Sequence, residues 1–227
     1  MDVAALHSWD LTPKEAARLQ SELAGRVVTD RPLPSAPRLL AGCDISTARH
    51  STTGYAGVVL LDARSLDTVA EFTLQGKLRF PYVPGLLSFR EGPLLLELFR
   101  QVHPVPDLIF FDGQGLAHPR RLGLACHLGL WLNRPTVGLA KSRLIGEYRE
   151  PADRRGAHTP LKSPEGEVLG AVLRTREHCK PIFVSAGHRI DLDSALEWTL
   201  QATTRYRLPE PTRRAHLLVN ALRRGRS

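Results

Sequence analysis

Two aspartates stand where a charge is expensive. Asp44 lies within LLAGCDIS, whose preceding residues suit a buried strand, and Asp112 ends the apolar run of DLIFFDGQG. Burying an unpaired carboxylate costs on the order of several kcal/mol, so each needs a hydrogen-bond donor, a cation or an open cleft. Asp44 alone also fits an aspartate capping a turn. Asp112 sits at a strand end, and in parallel sheets such ends commonly open into the active crevice. Glu91 is a third acid. Locally, Ser88-x-x-Glu91 reads as a capping box; if its helix begins beside the two aspartates, Glu91 faces them instead. Hard oxygen donors, with no cysteine pair or tight histidine cluster among them, favour Mg²⁺, or Mn²⁺ in its place, over zinc. Three carboxylates in a basic chain point to phosphodiester chemistry, where a metal activates water and neutralises charge on the phosphate.

A second feature is the stretch FPYVPG at 80–85. Its prolines exclude a helix or a central strand and hold Phe80, Tyr82 and Val83 in a stiff loop. Tyr82 either folds back on the core or stands out toward a partner. Gly85, Gly113, Gly115 and Gly138 either serve ordinary turns or let the backbone approach a base closely.

The elements that must position these groups are legible in outline. Thr12-Pro13-Lys14-Glu15 is a capping box with proline at the first helical position, so a helix is expected over about 12–25. After the proline-rich DRPLPSAPR come RLLAGCDIST, GYAGVVLLDA and TVAEFTLQGKL, three strands spaced as an antiparallel meander. SFREGPLLLELFRQV has helical periodicity, DLIFFDGQG is a strand, RLGLACHLGLWLN a helix and PTVGLA a strand. The later strands are expected to run parallel, in an α/β fold with helices flanking a mixed sheet. A hairpin about SPEG is expected as an insertion over about 149–174, followed by PIFVSAGHRI as a strand and two helices, DLDSALEWTLQATT and PTRRAHLLVNALRR.

The chain of 227 residues is expected to form a single domain over 1–227. A formal net charge of +8 points to an acidic partner, nucleic acid first, although arginine supplies 26 of the 31 basic residues. Three separated cysteines exclude a disulfide framework and a zinc ribbon. No apolar run reaches the roughly 20 residues of a membrane span, and MDVAALHSWDLT lacks the features of a signal peptide. The expectation is a cytoplasmic monomer that binds no membrane.

Taken together, GCDIS (42–46), PYVPGLLSFRE (81–91), DGQGLAHPRRLGLACHLG (112–129), VGLAKSRLIG (137–146), SAGHRI (185–190) and LPEPTRRAH (208–216) closely resemble the endonuclease V family. The resemblance implies a ribonuclease-H-like fold and Mg²⁺-dependent cleavage on the 3′ side of inosine. It makes Asp44, Asp112 and Glu91 the metal-binding acids, and adds Lys141 and His216 to the catalytic group. Nucleic-acid contacts would fall on Pro81, Tyr82, Val83, Pro84, Gly85, Leu87, Gly113, His118, Leu124 and Gly138, with the Tyr82 loop similar to a strand-separating wedge. Gln114 departs from the family, where many members have histidine. The substrate implied is deoxyinosine in DNA, in repair, with inosine-containing RNA as the alternative. A binding module without turnover and a nuclease selecting branched structure are the competing readings.

Overall fold

The computed structural model describes residues 1–49 and 51–225. In chain order its elements are α1 (Pro13–Ala24), β1 (Leu39–Thr47), β2 (Thr53–Asp62), β3 (Thr68–Lys77), α2 (Leu87–Gln101), β4 (Leu108–Asp112), α3 (Leu124–Leu132), β5 (Thr136–Ala140), β6 (His158–Lys162), β7 (Val168–Leu173), β8 (Ile182–Ala186), α4 (Leu192–Gln201) and α5 (Glu210–Arg223). The strands form one eight-stranded sheet in the order β3-β2-β1-β4-β5-β8-β7-β6. Among the described residues, no helix is long and apolar enough to cross a membrane.

The first five strands carry the ribonuclease-H-like arrangement. β1, β2 and β3 form the antiparallel meander, and β4 and β5 add to β1 in parallel. LIFFD and TVGLA are continuous apolar runs because parallel strands are covered on both faces. Beyond β5 the direction changes: β8 pairs antiparallel to β5, then β7 to β8 and β6 to β7. The hairpin about SPEG is β6 and β7, and it extends the sheet. Its turn is closed by Gly166 N–H to Ser163 O at 2.9 Å, with Gly166 at φ 92°.

Alternation along the strands assigns the site to one face. Ala41, Cys43, Ile109 and Phe111 pack with α2 and α3, while Leu40, Leu108 and Phe110 pack toward α4. With a period of 2, Asp44 and Asp112 fall on the second face. α5 crosses β1 and β2 there, with Ala215 and Leu218 packed on Val59 and Leu61. The helix comes this close because β1 has glycine at 42, where any Cβ would collide with the Pro211 backbone.

Candidate active site

Register brings the two aspartates together. Cys43 pairs with Phe111 across the parallel β1 and β4, so the next residue on each strand, Asp44 and Asp112, lies on neighbouring strands at the same level. His216 reaches them from α5, its Nδ1 2.8 Å from Asp44 Oδ2. Donor atoms of Asp44, Asp112 and His216 all lie within 4.8 Å of one another. Asn220, one turn on, donates its amide to the His216 carbonyl at 2.8 Å and stands 3.1 Å from Nε2, while Ser46 Oγ donates to Asn220 Oδ1 at 3.0 Å. This second layer was missed, although His216 and Asn220 share a helix face at i, i+4.

Lys141, just beyond β5, forms an ion pair with Asp112. Arg207 holds its loop by donating to the Lys141 carbonyl at 3.1 Å. Glu91 joins the acids through α2. That helix starts at Leu87, with no side-chain cap at Leu86. Ser88 therefore lies inside the first turn, and its hydroxyl engages His127 Nδ1 at 2.8 Å. The capping-box reading fails because a tertiary partner takes the serine. Burial, then the charges of Asp44 and Asp112, push the Glu91 carboxyl up to about 8. Asp44 is also raised, by burial first and by Asp112 second, against hydrogen bonds from His216 and the Ile45 amide. Where the sequence placed Glu91 in the ligand set, the clustered donors are two aspartates and His216, with Glu91 beside them.

Next to this cluster is a pocket of about 370 Å³, walled by the Tyr82–Ser88 segment, the Asp112–Gln114 turn and the Ala140–Leu144 loop. Phe80 is 6% exposed and packs with Val83 on Phe89 and α1, whereas Tyr82 is 73% exposed. The rigid loop thus anchors two side chains and holds the tyrosine ring out. Arg90 secures it by donating to Phe80 O at 2.6 Å. Gly85 takes φ 78°, in the left-handed region, and its carbonyl accepts from His118 Nε2 at 2.9 Å and from Arg120 at 3.0 Å. His118, whose pKa burial depresses to about 4, is a neutral strut under this loop as well as part of the pocket wall.

Val83, Pro84, Leu87, Gly113 and Leu124 also line the pocket. Pro81 is exposed and outside that lining. Gly138 is buried in β5, where it seats the Asp112–Gly115 turn: a Cβ there would strike the Gly115 amide. Gln114 spans two loops, donating to Ser142 O at 3.2 Å, and its buried Oε1 has no partner among the described residues. α2 and α3 both begin at the pocket without side-chain caps, although the Ala125 amide is taken by Gln114 O at 3.0 Å and the Phe89 amide by Leu86 O at 3.1 Å. Leu144, 44% exposed, adds an apolar rim that the motifs did not single out.

A family model described as Endonuclease V matches residues 21–217. Endonuclease V of Dehalococcoides mccartyi is 49% identical over 97% of this chain and 98% of its own. The crystal structure of Endonuclease V from Streptomyces avermitilis superposes with a TM-score of 0.90 at 44% identity, covering 100% of both chains. A Ciona intestinalis Endonuclease V (D234N), in complex with a 23mer DNA containing an inosine followed by a ribo-adenosine, gives a TM-score of 0.83 at 29% identity, over 96% of this chain and 100% of that one. On its motifs, sheet and near-complete coverage by these relatives, the chain belongs to the endonuclease V family of nucleases.

Proposed function

We propose that this protein is a Mg²⁺-dependent endonuclease that recognises deaminated adenine in DNA and hydrolyses a phosphodiester bond on its 3′ side, opening repair. The observation that carries the reading is the adjacency of the Asp44, Asp112 and His216 cluster to a base-sized pocket beside the outstanding Tyr82. Two carboxylates and an imidazole suit a divalent cation, and two acids raised by burial and mutual repulsion are what such a cation would relieve. Asp44, Asp112 and His216 would hold it, with Glu91 adjoining. Bound there, the ion would activate water and neutralise charge on the scissile phosphate.

The chain's own groups supply the rest. Lys141 stands ready to compensate a phosphate oxygen once Asp112 turns to the metal. Asn220 fixes the His216 ring. Tyr82 is placed to fill the gap left by a base drawn from the stack, and the pocket to receive it. The inosine-containing DNA in the Ciona intestinalis complex supports the same substrate here.

The test is cleavage of matched oligonucleotides carrying deoxyinosine, inosine or adenine, with Mg²⁺ and with chelator. Cutting of the deoxyinosine strand on its 3′ side, lost with chelator, is expected. Cutting confined to inosine RNA would reassign the substrate, and binding without cutting would leave a recognition module.

A further inference from the structure

Beneath the pocket runs a chain of hydrogen bonds that the catalytic cluster does not use. His7 Nδ1 lies 2.7 Å from Ser8 O, His7 Nε2 lies 2.8 Å from His127 Nε2, and His127 Nδ1 lies 2.8 Å from Ser88 Oγ. Trp131 Nε1 also points at His7 Nε2, at 3.2 Å. Two members of the chain have fixed roles: a carbonyl oxygen only accepts, and an indole N–H only donates. His7 therefore carries its proton on Nδ1 and accepts at Nε2. His127 must then donate from Nε2, sharing the single His7 Nε2 lone pair with the longer Trp131 contact, which leaves its Nδ1 an acceptor. The Ser88 hydroxyl, the last link, has to spend its proton on His127. Both rings are held neutral, since burial lowers their pKa values.

Ser88 forms part of the pocket wall while being 2% exposed. Its proton is committed inward, so toward the pocket it can present lone pairs alone. The neighbouring Gly85 carbonyl has both of its lone pairs taken, by His118 and Arg120. Where a ligand presses against this wall, the lone pairs of the Ser88 hydroxyl are the side-chain acceptor at the start of α2.

We infer that Ser88 is a specificity-determining acceptor for the lactam N1–H of a 6-oxopurine, with His127 and His7 as positioning residues that lock its hydroxyl. Resting on the proposed function, this assigns an atom to the discrimination. Deamination changes the purine edge from a bare N1 lone pair to an N1–H. A locked acceptor bonds the second and faces the first lone pair to lone pair. Guanine, which also carries N1–H, is not rejected by this contact.

The experiment compares single-turnover cleavage of two duplexes that differ in one base, hypoxanthine or unsubstituted purine, whose N1 is bare. In Ser88→Ala the hypoxanthine rate should fall about tenfold, the scale of one hydrogen bond to a substrate, while the purine rate stays level or rises. Ser88→Cys, nearly isosteric and a weak acceptor, should shift the ratio the same way. His127→Phe frees the serine proton and should also relax the ratio, with no further change when combined with Ser88→Ala. If both rates fall together in Ser88→Ala and Ser88→Cys, leaving the ratio at the wild-type value, Ser88 is structural and the inference is overturned. Failure of the wild-type protein to cut the hypoxanthine strand at all would instead remove the proposed function on which it rests.

Discussion

At the scale of single residues, Glu91 and Tyr82 make separable demands. Glu91 has an ordinary pKa of 4.5 and is pushed to about 8 in the fold, by burial and by its two acidic neighbours. A carboxyl raised in this way binds its proton more tightly when folded, so the metal-free protein loses stability as pH climbs between those values. The half-buried His7 and the buried His118, His127 and His188 are depressed and act in the opposite sense, but only below their ordinary 6.5. Above about pH 7 their contribution is flat, and the raised acids, Glu91 together with Asp44, set the slope. Melting of the metal-free protein should therefore drop between about pH 7 and 8, and Glu91→Gln should flatten the drop and raise the melting temperature at pH 8 by on the order of 5 °C. An unchanged slope in Glu91→Gln would show that the glutamate is not burdened as its surroundings indicate. Tyr82, by contrast, is 73% exposed, so Tyr82→Ala should leave melting nearly unmoved. It should weaken binding to an inosine-containing duplex by about 1–3 kcal/mol, the scale of one base stacked on an aromatic ring, with a smaller defect on single strands. A large loss of stability with duplex binding intact would mark the ring as a lid on the core.

At the scale of elements, the site depends on how closely α5 approaches β1. Gly42 leaves the space that the Pro211 backbone fills, and His216 follows one turn and more along the same helix. Gly42→Ala should lift α5 from the strand, costing about 1–3 kcal/mol by overpacking and separating His216 from Asp44. Denaturant unfolding and cleavage rates should decline together; full activity would mean that α5 does not need this contact to aim its histidine. The same elements show what the sequence could and could not disclose. The α1 capping box was readable because both halves lie within four residues, and the Thr12 side chain does accept from the Glu15 amide. Ser88-x-x-Glu91 has the same letters and a different outcome. Its serine is drawn to His127 and its glutamate to two aspartates, partners far along the chain that no local pattern exposes. Asp44 and Asp112 were conspicuous as charges in apolar runs, yet their adjacency came from the register of β1 on β4. The sharpest limit was the direction of β8: PIFVSA reads as a buried strand either way, and only pairing with β5 sets it antiparallel.

At the scale of the whole molecule, the proposed function divides the work of finding a damaged base between charge and pocket. A net charge of +8 attracts any duplex, because neutralising phosphates releases counterions regardless of sequence. On the proposed function, the pocket and its wall act on one base, through contacts within the cavity. Affinity for plain and inosine-containing duplexes should therefore decline with salt along nearly parallel lines, each phosphate neutralised adding about −0.9 to the slope of log K against log salt. The ratio of the two affinities should stay constant. Fluorescence anisotropy with Ca²⁺ in place of Mg²⁺ is the suitable measurement, since the larger ion fits an octahedral site poorly and should permit binding with little cutting. Preference for inosine that collapses with salt would place recognition in phosphate contacts on the basic surface. Preference that survives while both affinities fall would place it in the cavity, where neutral donors and acceptors read the base and the surrounding charge only delivers it.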